Sequence, residues 1–358
     1  MVGAGIVGCA IAYELASRDV QVHVVDRRGL GLGASRASAG MLTPYIEGHS
    51  AALLQLGICG LEQYDRFISR VSADSGSSIE YRRTGTLQVA HDEPGARTLA
   101  EKARVLSATG VAHSLLNGRE ARELEPALDR RVTAGLRIPA HGYVSVQAFL
   151  SALVEAATRR GAAFTVGQVS AIDDVLPVRL QTSAGVLSAD AVVVAAGSWS
   201  GGIPLAGRPA PVHPVRGQLV HLRLPEPIMS HIVWGDAAYL VPWLDGSVLV
   251  GATVEDVGFD ERVTVRGVRR LIDSGERLIP ALGNAAFQDA RAGLRPATAD
   301  ELPIVGASSR RRDVYFATGH YRNGVLLAPL TAALIADLIV DGRERSELAL
   351  VRPDRFGL

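Results

Sequence analysis

Residues 3–8 read Gly-Ala-Gly-Ile-Val-Gly, the GxGxxG spacing that can bind a dinucleotide. A helix-like run follows, and residues 20–26 then alternate like a strand that ends in a carboxylate. In such a unit the first glycine makes a tight turn, the second admits the backbone to a pyrophosphate, and the third lets helix pack on strand. The diphosphate lies at the helix N-terminus, where free N–H groups and the helix dipole favour an anion. The pattern therefore predicts a dinucleotide site.

The carboxylate that closes this unit is Asp26, which lies 18 residues beyond Gly8. From that place it can accept hydrogen bonds from the ribose hydroxyls of adenosine, and an acid rather than a basic residue argues against a 2′-phosphate. The fingerprint alone leaves FAD and NAD open. The alternative is a glycine-rich turn that binds no nucleotide. The helix, the strand and the acidic residue follow the glycines in the order of a dinucleotide-binding unit, which disfavours this alternative.

The next segment, residues 29–42, is dense in glycine, alanine and serine. A simple linker is one interpretation. NAD-binding folds usually continue into another strand and helix, whereas a small-residue loop lets the backbone come within contact distance of a bulky planar ligand. This segment favours FAD.

Together, the fingerprint, Asp26 and the run Gly-Ala-Ser-Arg-Ala-Ser-Ala-Gly-Met-Leu at 33–42 resemble the amino-terminal signature of the D-amino acid oxidase superfamily of flavoproteins. Within it the chain is most similar to the glycine oxidases. Residues 291–306, 319–329 and 239–242 resemble further blocks of that family in type and spacing, so the resemblance covers essentially the whole chain.

The resemblance implies a non-covalent FAD, because neither cysteine nor a histidine stands where relatives attach the flavin. It also implies which residues contact the cofactor. Spacing independently supports only the fingerprint and Asp26 among them. The cofactor-binding residues so expected are Gly3, Gly5, Ile6, Val7, Gly8, Asp26, Arg27, Ala34, Ser35, Ala39, Gly40, Met41, Val169, Gly197, His320, Tyr321, Arg322, Asn323, Gly324, Val325 and Leu326.

Substrate recognition is expected from Arg295, Tyr239 and Arg322. A planar guanidinium is the best single partner of an α-carboxylate, and Arg295 matches the carboxylate-binding arginine of the family. Tyr239 resembles the tyrosine that adds a second hydrogen bond, although it could also be ordinary strand packing. Arg322 lies in a loop that, in the family, contacts the flavin and the amino group of the substrate. Either the backbone or the guanidinium of Arg322 makes this contact. Amine oxidation delivers hydride from Cα to flavin N5, so no protein nucleophile or metal is expected.

Two positions depart from the family pattern. Ala237 and Trp243 stand where glycine oxidases can carry a histidine and an arginine, which puts the substrate scope in doubt.

The resemblance implies FAD-dependent oxidation of glycine or a similar small amine to the imine and oxoacid, with dioxygen giving hydrogen peroxide. In bacteria the family supplies an imino acid for thiamine biosynthesis. The alternatives are a D-amino acid, sarcosine or proline oxidase or dehydrogenase of the same fold, and, from another class, a non-catalytic flavin-binding protein.

The order of the strand-like and helix-like segments that carry these residues, together with the resemblance, predicts an α/β fold. It has a Rossmann-like FAD-binding domain and a mainly antiparallel substrate-binding domain. We expect residues 1–78, 141–208 and 288–358 in the first, and residues 79–140 and 209–287 in the second. Residues 94–128 indicate a charged helical stretch. Residues 325–340 indicate a buried helix, whose N-terminus near Val325 would face negative charge on reduced flavin.

Composition excludes other classes. In 358 residues, 37 Lys and Arg balance 37 Asp and Glu, so the composition does not indicate a basic surface that binds nucleic acid. Arginine doublets such as Arg27-Arg28 are expected to be solvated on the surface. Two cysteines form neither a disulfide framework nor a metal-ligand set.

No apolar run is long enough to span a membrane and no signal peptide is recognisable, so we expect a cytoplasmic protein. The resemblance implies a homo-oligomer, such as a tetramer. Because a strand normally precedes GxGxxG and only Met1 and Val2 precede Gly3, we expect the natural chain to begin a few residues earlier.

Overall fold

The computed structural model describes residues 1–47, 50–203 and 209–358. The α-helices of this part of the chain are α1 (Ile6–Ala16), α2 (Pro44–Glu47), α3 (Ala51–Ser75), α4 (Glu93–Ala108), α5 (Gly118–Leu124), α6 (Val146–Arg159), α7 (Val265–Leu278) and α8 (Ala328–Ala336). The strands are β1 (His23–Asp26), β2 (Met41–Leu42), β3 (Tyr81–Arg82), β4 (Thr86–Ala90), β5 (Ser114–Asn117), β6 (Ala134–Ile138), β7 (Gly142–Val144), β8 (Ala163–Val166), β9 (Val169–Asp173), β10 (Val178–Thr182), β11 (Gly185–Ala189), β12 (Val192–Val194), β13 (His213–Arg223), β14 (Ile232–Trp234), β15 (Tyr239–Pro242), β16 (Ser247–Gly251), β17 (Ala286–Ala297), β18 (Ile304–Ala307) and β19 (Val314–Thr318).

The first sheet is mostly parallel. β1 pairs with β8 and β12 pairs with β19, all in parallel, and β18 adds an antiparallel edge to β19. Val2 joins the two halves through parallel bridges to Val25 and Val194. β12 is buried along its whole length, as the apolar run 190–197 predicts for a strand covered on both faces.

Helix α1 fills the space beside this sheet. Every residue of α1 is buried, because its sequence is apolar nearly all round, and it packs against α6 and α8. Ser50 caps α3 by accepting from the Leu53 N–H at 3.2 Å. α3 also packs against α8, and the Tyr64 hydroxyl donates to the carbonyl of Val325, in the segment just before α8, at 2.6 Å.

The second sheet has the order β17-β13-β16-β15-β14-β4-β6-β5, and all its pairs are antiparallel except β14 with β4. Side chains of β13, β15 and β16 alternate between its two faces. Val220, Leu240 and Val250 lie in a core that includes Leu271 and Leu278 of α7. The opposite face carries Leu219, Val241 and Leu249, which pack with Ala39 and Met41 of the small-residue loop. The predicted fold, a Rossmann-like unit with a mainly antiparallel second sheet, is confirmed.

Several boundaries differ from expectation. The stretch 94–128 is not one helical region: α4 and α5 are separated by β5, because Gly110 takes a left-handed φ of 71° and Asn117 begins α5 with a capping box. The expected helix 325–340 begins at Ala328 with Pro329 in its first turn, and it ends in a π-helical turn at Asp337–Asp341.

The expected domain boundary after residue 287 falls inside β17. That strand pairs with β13 from Ala286 to Ala297, so it belongs to the second sheet as one unit. The boundary at residue 208 lies outside the described residues. Cys9 is buried and Cys59 is partly buried, both as free thiols.

Among the described residues, no helix is both long and apolar enough to cross a membrane.

Candidate active site

A cavity of about 540 Å³ lies between the two sheets. This volume is in the range of small-molecule sites. All the residues predicted above for cofactor or substrate line it except Gly8. Segments far apart in sequence thus meet at one place: the fingerprint, the loop 33–43, the carboxyl end of β12, the tip of β15, the end of β17 and the loop before α8.

The three fingerprint glycines are required for different reasons. Gly3 has φ of 108°, and a Cβ there would lie 2.3 Å from the Ala195 carbonyl oxygen. A Cβ on Gly8 would lie 2.1 Å from the Gly3 carbonyl oxygen, so this glycine serves helix packing rather than lining the cavity. At Gly5 the nearest atom to an added Cβ is the Ser35 Oγ at 3.4 Å. The Ser35 hydroxyl accepts from the first N–H of α1, that of Ile6, at 2.9 Å.

Asp26 holds the turn that follows β1. Its Oδ2 accepts from the Ala4 N–H at 2.8 Å, and its Oδ1 accepts from the N–H groups of Arg28 and Gly29 at 2.8 and 3.1 Å. The carboxylate therefore ties the fingerprint to the segment beyond the strand, and it also lines the cavity.

The loop 33–43 suits a bulky cofactor. Gly40 has φ of 73°, and a Cβ there would lie 1.9 Å from the Val144 carbonyl oxygen, so only glycine fits. The Thr43 Oγ1 lines the cavity, is buried, and has no hydrogen-bond partner within the described residues. A buried hydroxyl without a partner is costly, so a polar group of a bound molecule would satisfy it. Across the cavity, Gly197 has open space where a Cβ would stand. The residues present fit a dinucleotide with a planar ring.

In the arginine doublet Arg27-Arg28, Arg27 is exposed, as expected, whereas Arg28 is half-buried. Both guanidinium carbons lie over the Trp199 ring, at 4.1 and 4.2 Å from its centroid, which is a cation–π arrangement. Arg28 also pairs with Glu261 at 2.7 Å. Trp199 lines the cavity and was missed, because nothing in its local sequence places an aromatic ring between two arginines.

Arg295 extends from β17 into the cavity. Its Nη1 donates to the Thr253 carbonyl at 3.0 Å and to the Arg216 carbonyl at 3.5 Å. In the part of the chain that the structure describes, no acidic side chain pairs with it within 4.0 Å, whereas most other half-buried arginines have such a partner. The guanidinium thus presents uncompensated positive charge to the cavity.

Tyr239 and Arg322 line the same cavity. Burial raises the pKa of Tyr239 to about 12, with Arg295 and Arg322 opposing the shift and Glu47 adding to it. The Arg322 Nη1 lies 3.8 Å from the Glu47 Oε2. Sequence reasoning missed Glu47, a buried carboxylate in α2 that the fold brings opposite the loop 319–324.

Of the two departures from the family pattern, only Ala237 reaches the cavity. Trp243 instead packs edge-on against Tyr143, with ring centroids 5.3 Å apart. Among the described residues, no group of three or more His, Cys, Asp or Glu side chains could hold a metal ion.

Two buried histidines, of which only His320 lines the cavity, are neutral at neutral pH because burial lowers the pKa of each. His320 lines the cavity, contacts the Thr331 hydroxyl at 3.0 Å, and has its pKa lowered by burial to about 4. His141 has its pKa lowered to about 3, by burial and by Arg83. The Tyr45 N–H donates to the His141 Nε2 at 3.3 Å, so that nitrogen is unprotonated.

We expect stability to fall as the pH is lowered below about 6.5, the ordinary pKa of an unfolded histidine. Below that pH the unfolded chain takes up protons at both histidines, whereas the folded chain does not until pH is near 4 for His320 and 3 for His141. Each contributes a loss of up to about 1.4 kcal/mol per pH unit in that window. Urea unfolding between pH 7 and 4.5 measures the slope. His141→Gln should make it shallower, and the exposed His23→Gln should not; equal slopes would contradict the assignment.

The architecture and the site define a class: an α/β protein whose glycine-rich βα unit and second sheet enclose a cavity that fits a dinucleotide cofactor, with the Arg295 guanidinium at its edge. Residues 1–338 match the family described as FAD dependent oxidoreductase, DAO. The chain belongs to this family, and FAD is its cofactor.

Named relatives agree with this placement. The chain is 34% identical to glycine oxidase of Geobacillus kaustophilus over 98% of its own length and 93% of the relative's. The crystal structure of glycine oxidase from that organism superposes with a TM-score of 0.94, covering 99% of this chain and 97% of that one at 34% identity.

Two further similar proteins carry names other than glycine oxidase. The chain is 34% identical to the bifunctional protein ThiO/ThiG of Synechocystis sp. over 99% of its length, but it spans only about half of that protein, 53%. Iminodiacetate oxidase from Chelativorans sp. BNC1 superposes with a TM-score of 0.90 at 28% identity, covering 98% of each chain.

Proposed function

We propose that this protein is an FAD-dependent amino acid oxidase that acts on glycine or a similarly small amine. It converts the amine and dioxygen into the imine and hydrogen peroxide, and the imine then hydrolyses to the oxoacid and ammonia. The observation that carries the proposal is the uncompensated Arg295 guanidinium, which faces the cavity beside the Tyr239 hydroxyl. The similarity to glycine oxidases over nearly the whole chain supports it.

Within this proposal, the cavity-lining residues of segments 3–7, 26–41 and 319–326 would hold FAD without a covalent bond, and FAD would supply the two-electron acceptor. α1 presents its N-terminus to the pyrophosphate, where free N–H groups and the dipole stabilise negative charge. Arg295 holds the substrate carboxylate by a planar, charge-assisted contact. Since the pKa of Tyr239 is about 12, its hydroxyl keeps its proton at neutral pH and donates to the same carboxylate.

Arg322 and Glu47 complete the polar side of the cavity. The Arg322 guanidinium and the Glu47 carboxylate carry opposite charges and lie 3.8 Å apart, so they offset each other. Arg295 therefore provides the excess positive charge among these three side chains. One excess positive charge matches one substrate carboxylate. The amino group then lies toward the loop 319–324, where backbone and side-chain acceptors orient it.

Tyr239→Phe tests the second contact. Loss of a hydrogen bond to a charged group costs about 1.5 to 3 kcal/mol, so we expect kcat/KM for glycine to fall by about 10- to 100-fold. FAD content should be unchanged because the ring remains. Steady-state peroxide assays measure the effect; an unchanged kcat/KM would remove Tyr239 from the site.

A second candidate, an oxidase or dehydrogenase for D-amino acids, sarcosine or proline, is favoured by one observation. Ala237 leaves the cavity open where a larger polar residue can stand in glycine oxidases. The discriminating experiment uses purified holoprotein with glycine, sarcosine, D-alanine, proline and iminodiacetate, with peroxide and dye reduction read in parallel. Dye reduction without peroxide would refute the oxidase, and neither signal would favour a non-catalytic flavoprotein.

The cellular setting is also a proposal. Similarity to ThiO/ThiG supports a role in thiamine biosynthesis, in which this chain would supply the imino acid. We further propose a cytoplasmic homo-oligomer, with residues 1–78, 141–208 and the part beyond β17 as its FAD-binding domain. Sedimentation of the holoprotein tests the assembly.

A further inference from the structure

The proposed carboxylate-binding side chains extend from one face of the second sheet. Gly217 of β13 lies opposite Gly293 of β17, and Arg295 follows Gly293 by two residues, so these positions share a face. Leu219 shares that face two residues beyond Gly217 and lies opposite Gly251, which lies opposite Tyr239 in turn. Arg295 and Tyr239 therefore stand on the same surface, with two glycines between them.

Gly217 lies directly under the Arg295 guanidinium. A Cβ on Gly217 would be 2.3 Å from Nη2, 2.4 Å from Cζ and 2.5 Å from Nη1. The side chain of Arg295 thus crosses diagonally from β17 onto β13, a reach that neighbouring strands allow. There its Nη1 meets the Thr253 carbonyl. Because Gly217 is extended strand backbone, its requirement is for space rather than for an unusual φ.

Gly251 has the same relation to Tyr239. A Cβ on Gly251 would be 2.5 Å from Cε2, Cζ and Oη of that ring, so the ring lies flat over the glycine. On its other side, the ring of Trp234 approaches with centroids 5.1 Å apart. The phenol is held between a glycine and an indole, and Tyr239 lines the cavity.

We propose that Gly217 and Gly251 are positioning residues for the substrate carboxylate: the absence of side chains at these two positions sets the placement of the Arg295 guanidinium and the Tyr239 hydroxyl. This inference rests on the proposed function. Alanine at Gly217 must displace three guanidinium atoms, and a displaced guanidinium loses the 3.0 Å contact to the Thr253 carbonyl that fixes its direction. Backbone strands on both sides prevent the sheet from absorbing the added methyl group.

The test uses holoenzyme and acetate, a carboxylate with no amino group, titrated against the flavin absorbance. Gly217→Ala should raise the Kd for acetate and the KM for glycine by about tenfold or more, with a smaller effect on kcat and no loss of bound FAD. Gly251→Ala should act in the same direction through Tyr239.

The matched control is Gly135→Ala on β6 of the same sheet, where an added Cβ meets Ala121 and Leu87 at 3.1 Å. It should lower Tm without changing the acetate Kd.

A double-mutant cycle separates positioning from general damage. In an Arg295→Ala background, Gly217→Ala should add no further rise in acetate Kd, since the side chain that it displaces is gone. An unchanged acetate Kd in Gly217→Ala, or an equal rise with and without Arg295, overturns the inference. If Arg295→Ala alone leaves acetate affinity unchanged, the proposed function fails instead, which keeps the two failures distinct.

Discussion

Arg295→Ala is expected to lower kcat/KM for glycine by about 100-fold or more while leaving the bound FAD in place. Truncating one partner of a desolvated, hydrogen-bonded charge pair costs about 2 to 5 kcal/mol. The other guanidinium that acts on Tyr239, that of Arg322, already lies 3.8 Å from the Glu47 carboxylate. Most of the loss should appear in KM, because the carboxylate contact is made equally in ground state and transition state. Steady-state peroxide assays with flavin absorbance of the same samples measure both quantities.

The matched control is Arg291→Ala. Arg291 lies on the same strand and the same face as Arg295, but it pairs with Asp289 at 2.8 Å and does not line the cavity. Its removal should leave KM within about twofold of the parent value, as for an exposed ion pair. Equal effects of the two substitutions would show that the strand, not the Arg295 charge, governs substrate affinity.

Gly5→Ala is expected to raise the Kd for FAD by about 10- to 100-fold without unfolding the apoprotein. Gly5 has φ of −75°, which any residue adopts, and an added Cβ contacts only the Ser35 Oγ, at 3.4 Å. The methyl group would instead occupy the cavity where the backbone must approach the pyrophosphate. Loss of a charge-assisted hydrogen bond there costs about 1.5 to 3 kcal/mol. Fluorescence titration of apoprotein with FAD gives the Kd.

A second glycine in the fingerprint provides the contrast. Gly8→Ala should damage folding itself, because its Cβ would lie 2.1 Å from the Gly3 carbonyl oxygen. Apoprotein Tm should therefore drop strongly for Gly8→Ala and little for Gly5→Ala. If Gly5→Ala bound FAD with parental affinity, the pyrophosphate would lie elsewhere in the cavity.

Sequence reasoning succeeded where local chemistry determines the structure. The spacing of the three fingerprint glycines predicted a tight turn at Gly3, close approach of a pyrophosphate at Gly5 and helix packing at Gly8. The structure has the turn at Gly3 and the close helix contact at Gly8. The apolar run at β12 likewise predicted a buried parallel strand correctly. Such features depend on neighbours along the chain, so a single sequence carries them.

The rest depends on contacts between distant segments. Trp199 lies between Arg27 and Arg28, which are more than 170 residues earlier in the chain. Nothing near Gly217 indicates that the Arg295 guanidinium rests on it, because the pairing register of β13 with β17 decides that contact. Similarly, Gly110 and the capping box at α5 divided a stretch whose charged composition had indicated continuous helix.

Asp26 carries a consequence for the energetics of cofactor capture. A carboxylate offers about four lone-pair sites, and three backbone N–H groups, of Ala4, Arg28 and Gly29, already occupy this one before any ligand arrives. One site is left for a ribose hydroxyl. The entropy of ordering the turn after β1 is thus lost during folding rather than during binding, which is preorganisation in the thermodynamic sense. Selectivity at this end of the cavity then depends on a single remaining acceptor and on the shape of a turn that is already formed.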